Sequence, residues 1–412
     1  MDSAYTLFSH SLLFVTIYVQ IFLLVTLFEN RRTIKNKGSL TLDRHPTVTI
    51  LVPVFNEERT VENTIRSLLG LNYPAEHLKI MVVDDGSKDN TWNLVQKYKD
   101  HPQILLHKKE NGGKYTALNY GIEQSDSEFI GCLDADSFVD PEALNHILPY
   151  FDTPETMAVT PTMKILNPDN MLRLMQNAEY NMGTFIRKIF GALDAQYVTP
   201  GPFSIFRRDI FSKIGNYKHA HNTEDLEMAL RLQDHHYKIA NAHKAIVYTV
   251  GPPTLYKLYK QRVRWTGGFI QNAIDYKKMF FNPKYGHLGM FVLPAAMYTM
   301  LGTIVFLAYA LYKTIVSAIT AISKAQVVGW HWDFTGFTFD WWYYNVQFTS
   351  LIGVVMTLLI VFSIWYGKHL AGVKDSKFLD ILLFLLLYSF ISPIWLITSV
   401  YNTIRKRDAA WR

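Results

Sequence analysis

Glu128–Asp136 reads EFIGCLDAD, an apolar run that stops on two carboxylates separated by one small residue. A run this short and this continuous suggests a strand buried on both faces. Three more of the kind lie upstream. Val48–Val54 (VTILVPV) carries Pro53 near its end and gives way to the polar Asn56-Glu57-Glu58. Lys79–Val83 stops at Asp84-Asp85-Gly86-Ser87, and Ile104–His107 follows. Between them, Thr60–Leu69 spaces Val61, Ile65, Leu68 and Leu69 at helical intervals, and Asp89–Lys99 and Tyr115–Glu123 read as further helices. Strand and helix alternating in this way predict an α/β domain over 46–251, with a mostly parallel sheet and helices on both faces. Ligands of such sheets bind beyond the carboxyl ends of the strands. The acidic clusters stand there: Glu57 with Asn56, Asp84 with Asp85, Asp134 with Asp136.

Outside this domain the composition changes. Ser3–Phe28 holds no Asp, Glu, Lys or Arg, and neither do Gly286–Tyr312, Trp341–Gly367 and Ile381–Ile404. Each can reach the roughly 20 residues that a helix needs to cross a bilayer, and a helix satisfies its own backbone there. The expectation is four spans, one within 1–30 and about three within 286–404. No basic residue precedes the first run and no small-x-small cleavage site follows it, against a cleaved signal peptide. Glu29-Asn30-Arg31-Arg32, Lys35 and Lys37 follow instead, which under the positive-inside bias predicts a multi-pass plasma-membrane protein with 31–285 in the cytosol. Strict alternation of four spans would put Arg405-Lys406-Arg407 outside, against that bias. A further membrane-associated segment over Thr314–Val328, or a re-entrant pair broken at Pro393, would each relieve the conflict. Trp330, Trp332, Trp341, Trp342, Tyr343 and Tyr344 read as an interfacial belt.

Between domain and spans, 252–285 is expected at the membrane surface. In Thr254–Phe281, Leu255, Leu258, Val263, Phe269 and Ile274 alternate with Lys257, Lys260, Arg262 and Arg264, the pattern of an interfacial amphipathic helix. Asp169–Phe190 is a second such stretch. It fits the membrane surface or, through Gln176, Glu179 and Tyr180, the mouth of a channel.

The charge balance is +6, from 41 basic and 35 acidic residues. That suits anionic lipid headgroups and a diphosphate, and does not by itself indicate nucleic acid. Cys132 is the sole cysteine, so an intrachain disulfide and a thiolate cluster are both excluded, and His235-His236 reads as a solvated helix end. In Asp134-Ala135-Asp136 both carboxylates can face one hard cation. Mg²⁺ or Mn²⁺ takes one or two such groups plus phosphate oxygens and water. D-x-D alone is a common exposed turn; its place behind an apolar strand is what singles it out. Asp84-Asp85-Gly86-Ser87 fits either a donor-rich ligand such as a base and ribose or an ordinary turn. Asn111-Gly112-Gly113-Lys114 would let backbone and ammonium approach a diphosphate, and equally fits a helix start. It is not G-x-x-x-x-G-K-[ST], which disfavours an ATPase.

Thr223-Glu224-Asp225 opens a helix over Asp225–Gln233 and has the look of ordinary N-capping. Transfer to a hydroxyl also needs a carboxylate base, a role for which Asp225 is well placed. In Gln261-Arg262-Val263-Arg264-Trp265 a lipid surface accounts for the basic residues but not for Trp, Gln and two Arg crowded into five positions. Arg264 could hold a diphosphate, and Trp265 could offer an aromatic face to a sugar. A transporter or export channel would be expected to carry intramembrane charges, and the four runs contain none.

In order, P-V-F-N-E (53–57), D-D-G (84–86), G-K-Y-T-A-L-N (113–119), D-A-D (134–136), T-E-D (223–225) and Q-R-V-R-W (261–265) resemble the processive family 2 glycosyltransferases. That group includes poly-N-acetylglucosamine, cellulose, chitin and hyaluronan synthases, and the layout of one span, domain and later spans is similar to the poly-β-1,6-N-acetylglucosamine synthases. The resemblance implies a GT-A fold, a UDP-sugar donor, Mg²⁺ or Mn²⁺, inversion at the anomeric carbon, and a growing polysaccharide as acceptor. It places Asp84 and Asp85 on uridine, with Pro53, Asn56 and Glu57 near the same pocket and Lys114 reaching the nucleotide. Asp136 with Asp134 would hold the metal diphosphate, and Asp225, beside Glu224, would be the base. Gln261, Arg262, Arg264 and Trp265 would form the acceptor and diphosphate site, and Gly201-Pro202-Phe203-Ser204 the loop lining the acceptor. The sequence departs from bacterial cellulose synthases in having no cyclic-dinucleotide module, so control is expected to be simpler or to come from a partner such as a small membrane accessory subunit.

Overall fold

In the computed structural model, residues 2–37, 42, 44–329, 348–372 and 378–405 are described. The strands are β1 (Val48–Val54), β2 (Leu78–Asp84), β3 (Ile104–Lys108), β4 (Phe129–Cys132), β5 (Ser137–Val139), β6 (Thr156–Ile165), β7 (Ile205–Arg207) and β8 (Lys238–Thr249). They form one sheet in the order β3-β2-β1-β4-β7-β6-β8-β5. The first half behaves as its apolar runs dictate, with β3, β2, β1 and β4 mutually parallel. Beyond β4 the sheet turns mixed: β7 runs antiparallel to β4 and β6, β6 is parallel to β8, and β5 closes the edge antiparallel to β8.

Strand period two divides the core. Val48, Ile50, Val52 and Val54 of β1 pack with α2 (Val61–Leu69), α3 (Thr91–Gln96) and α5 (Ala143–Ile147). Leu51, on the other face, joins α4 (Lys114–Gln124), α7 (Asp209–Ile214) and α8 (Glu224–Asp234). Each of these β1 side chains is buried, worth about 1.5–3 kcal/mol apiece. That burial pins the register at the strands' carboxyl ends, where the polar residues emerge.

The remaining α-helices are α1 (Asp2–Lys37), α6 (Met171–Ala192), α9 (Leu255–Asp275), α10 (Leu293–Val328), α11 (Phe348–Leu370), α12 (Phe378–Leu383) and α13 (Ser389–Ile404). Four stretches are helical, long and apolar enough to cross a membrane: Tyr5–Arg32, Leu288–Val327, Ser350–Leu370 and Phe378–Ile404. Thr314–Val328 is therefore no separate segment but the continuation of α10. Pro393 sits inside the uninterrupted α13 and does not break it; the irregularity is one turn earlier, a π-helical turn at Phe384–Tyr388. The aromatic belt residues Trp330–Tyr344, and Lys406 and Arg407, lie outside the described residues.

Just beyond the uncharged runs, Lys368 Nζ meets Asp380 Oδ1 at 2.7 Å and Asn177 Nδ2 donates to Asp380 Oδ2 at 3.0 Å. Both charges are buried, so the ends of α11 and α12 are closed by a pair. Helix α6 packs along the apolar helices. Phe185 and Ile189 pack on Leu23 and Leu27 of α1, while Met175 and Ala178 pack on Ile364, Ile381 and Phe384.

Candidate active site

Asp134 and Asp136 leave the sheet directly after β4, where Leu133 N–H still bonds Leu51 O at 2.9 Å and Ser137 N–H closes a turn onto Asp134 O at 3.0 Å. Lys114, the first residue of α4, reaches across with Nζ 2.7 Å from Asp134 Oδ1 and 3.0 Å from Glu224 Oε1. Burial alone would lower the ammonium's pKa, but Asp134 and Glu224 outweigh it and hold it well above the ordinary value. The 201–204 loop closes over this pair. A Cβ at Gly201 would lie 2.7 Å from Lys114 Nζ and 3.1 Å from both Asp134 carboxylate oxygens, so the loop backbone approaches this ion pair closely.

Asp225 stands next to Glu224 at the start of α8 and is held by its backbone, its carbonyl accepting from Thr199 Oγ1 at 2.7 Å. Burial first, and the Glu224 carboxylate second, push its pKa up to about 6, against the pull of Lys114 and Arg264. Glu224 goes the other way. Burial opposes its ionisation, yet Lys114 outweighs burial and holds it below the usual range. Two adjacent carboxylates are thereby driven apart, the pattern expected of one structural anion beside one base.

Across the cavity, α9 presents Gln261–Trp265. Arg262 is buried, paired with Glu179 Oε2 at 2.5 Å, bonded to Gln261 Oε1 at 3.1 Å and stacked 4.2 Å over the Trp265 ring. Arg264 Nη1 donates to Asn222 O at 3.0 Å, just before the Thr223-Glu224-Asp225 turn. Lys114, Asp134, Asp136, Glu224, Asp225, Gln261, Arg262, Arg264 and Trp265 all line a single cavity of about 590 Å³. Its wall continues through Glu179, Tyr180 and Arg187 of α6 to Met300, Tyr388, Trp395 and Leu396 on the apolar helices.

The other expected site residues do not line it. Asp85 clasps the 111–113 loop, accepting from Gly112 N at 3.1 Å, Gly113 N at 2.8 Å and Lys109 Nζ at 2.7 Å. Asp84 is buried and accepts from Ser87 N at 3.0 Å. Pro53 pairs with Val83 in the sheet. Asn56 N–H donates to Ser87 Oγ at 3.0 Å and its Oδ1 accepts from Lys88 N at 2.8 Å, while Glu57 N–H donates to Thr91 Oγ1 at 2.7 Å. These groups knit the ends of β1 and β2 into a polar knot beside the cavity. Lys109 in that knot and Arg187 in the cavity were not singled out from sequence, because a lysine in a basic run and an arginine on an amphipathic helix both read as solvated surface.

No group of three or more His, Cys, Asp or Glu side chains is placed to hold one metal ion among the described residues. Asp134 and Asp136 supply two carboxylates on one turn, the donor set that suits a hard divalent ion completing its sphere with phosphate oxygens and water.

Residues 49–215 match the family model described as glycosyl transferase family 2. Over this segment the chain is thus similar to family 2 glycosyltransferases. The chain is 32% identical over 270 residues to poly-beta-1,6-N-acetyl-D-glucosamine synthase of Staphylococcus aureus (strain COL), which takes in 63% of this chain and 65% of that protein. It is also 32% identical over 224 residues to the synthase of the same name from Staphylococcus epidermidis, 54% of each chain. The chain thus spans less than two thirds of the length of these curated relatives. Among solved structures, a mannosyltransferase from Pyrobaculum calidifontis, in complex with GDP-Man and Mn²⁺, matches with a TM-score of 0.56 at 17% identity, over 95% of this chain and 99% of that one. At that identity the likeness speaks for the fold, a GT-A-type mixed sheet with helices. The family match contains Asp84-Asp85, Lys114 and Asp134–Asp136 and ends before Thr223–Asp225 and Gln261–Trp265.

Proposed function

We propose that the chain is a membrane-embedded, inverting glycosyltransferase that extends a polysaccharide from a UDP-sugar, with UDP-N-acetylglucosamine as the first candidate. One observation carries this reading: Asp225, the Asp134/Asp136 pair and Gln261–Trp265 face one cavity that runs on to Met300, Trp395 and Leu396. In this reading 46–251 perform the transfer, 252–285 seat the acceptor, and 1–30 with 286–404 form the membrane part of a plasma-membrane protein whose catalytic domain faces the cytosol. The name of the staphylococcal relatives supports N-acetylglucosamine as the sugar.

Asp225 takes the proton of the acceptor hydroxyl. The hydroxyl oxygen bonds to the anomeric carbon as the bond from that carbon to the diphosphate oxygen breaks, and the pair of electrons leaves with the nucleotide. A base whose pKa is pushed up to about 6 is ionised at neutral pH yet more basic than a free aspartate. Mg²⁺ or Mn²⁺ held by Asp134 and Asp136 would neutralise charge on the departing diphosphate. Arg264 adds a fixed cation from across the cavity, held by Asn222. Trp265, braced by Arg262, offers its ring to the acceptor sugar. Asp84, Asp85, Asn56, Glu57 and Pro53 shape the uridine side, with Lys114 between it and the carboxylates.

Membranes holding the protein should release UDP from UDP-N-acetylglucosamine only with Mg²⁺ or Mn²⁺, and the product should size as a ladder. A single glycolipid product would replace extension by one transfer, and no UDP release from a panel of UDP-sugars would remove the reading.

A further inference from the structure

Arg187 stands apart from the other cations of the cavity. Lys114 has Asp134 and Glu224; Arg262 has Glu179 and the Trp265 ring; Arg264 has the Asn222 carbonyl and acts on both Glu224 and Asp225. Arg187 lines the same cavity, yet its Nε and Nη2 are buried without a hydrogen-bond partner among the described residues. Burial brings its pKa down to about 10, and the groups acting against that are the phenols of Tyr180 and Tyr197, not a carboxylate. A partly buried guanidinium with unpartnered nitrogens and no counter-charge costs folding free energy.

The surroundings are arranged to keep it nonetheless. At Gly183, one turn earlier on α6, a Cβ would lie 3.2 Å from Arg187 Nη1, so bare backbone leaves room beside the guanidinium. Its neighbour Lys188 turns away and is satisfied, donating to Asn241 O at 3.2 Å. Ile186 and Phe190, either side of it, pack against the cluster built on Leu23 and Leu27 of α1. Arg187 therefore stands on the stretch of α6 that packs against α1, and it forms no ion pair with the cavity's carboxylates among the described residues.

We propose that Arg187 forms a second oxyanion subsite of this cavity, separate from the diphosphate site, for a phosphate group that enters from the membrane side on a lipid or free in solution. A guanidinium offers planar, always-charged donors suited to phosphate, and phosphate is the anion that lies at headgroup depth. The proposal takes from the transferase reading only that the donor occupies the carboxylate end; its test reads binding without turnover, so failure of that reading leaves the outcome intact.

The full chain is placed in nanodiscs of phosphatidylcholine, and melting is followed with inorganic phosphate, with UDP, and with phosphatidic acid in the disc. Wild type is expected to melt higher with phosphatidic acid or inorganic phosphate. A response to phosphatidic acid alone assigns the lipid source, and a response to both assigns phosphate as such. Arg187→Met should lose that shift, keep the UDP shift, and melt no lower than wild type without ligand, because the uncompensated charge is gone. Arg187→Lys should keep part of the anion shift. The idea is overturned if Arg187→Met fails to fold or melts well below wild type, if its anion shift persists, if its UDP shift disappears, or if wild type responds to neither anion.

Discussion

Lys114 and Asp225 sit within one group of charges but depend on it in opposite ways. Lys114 lowers the pKa of both Glu224 and Asp225, whereas Glu224 raises that of Asp225. As the proposed base, Asp225 must be ionised to act, so turnover should fall as pH drops through about 6, and a pH–rate profile measures it. Asp225→Asn should lose about 10²–10⁴ in rate while binding of UDP-N-acetylglucosamine persists. The same shift has a stability consequence. Because the folded pKa lies above the ordinary 3.8, the group's favourable contribution is complete below that value and lost as pH rises through about 6. Asp225→Asn should therefore melt higher than wild type at pH 8, with the gap closing toward pH 4. Lys114→Met removes the ammonium that restrains both carboxylates, so the acid limb of its rate profile should move to higher pH. At this scale the sequence marked Glu224 and Asp225 as a helix start and Lys114 as a diphosphate group. It could not show that Lys114 bridges Asp134 and Glu224, because those partners come from different elements and meet only in the fold.

What made whole elements legible was local. β1 is bounded where its apolar run is bounded, and its neighbours β2, β3 and β4 follow because strands buried on both faces leave continuous apolar text. The other half of the sheet left no such text. β7 has three residues, β5 has three, and β6 carries Pro161 within it; their pairing is set by position in the sheet. Helix α6 was legible as amphipathic, but not that two elements would enclose its polar face. The Glu179–Arg262 pair shows what encloses it, joining α6 to α9 at 2.5 Å with side chains 18% and 4% exposed. Glu179→Gln leaves a buried guanidinium without its counter-charge, a loss of about 3–5 kcal/mol. Arg262→Met combined with Glu179→Gln should lose less than Glu179→Gln alone, which a double-mutant cycle of melting curves would show. Arg262 also braces Trp265, so Glu179→Gln should raise KM for the acceptor more than for the donor.

For the molecule as a whole, the relation between cavity and apolar helices matters most, and composition was silent about it. α10 and α13 are largely apolar along their length, so their text does not tell which residues face the cavity. Tertiary contacts decide it: Tyr259 hydroxyl donates to Thr398 Oγ1 at 3.1 Å and Ser399 Oγ to Val263 O at 3.2 Å, seating α9 directly on α13. That seating brings Leu396 and the buried Trp395 onto the wall that begins at Asp134 and Asp225. If the growing chain leaves along this wall, bulk added far from the carboxylates should alter product length and not donor chemistry. Leu396→Trp should bind UDP-N-acetylglucosamine and release UDP at the wild-type initial rate, yet yield shorter product on a sizing gel. Full-length product from Leu396→Trp would place the exit elsewhere and sever the link between transfer site and apolar helices, while leaving the assignment of Asp225 untouched. Loss of UDP release as well would mean that the wall and the carboxylates act as one unit, with acceptor occupancy there governing the first transfer.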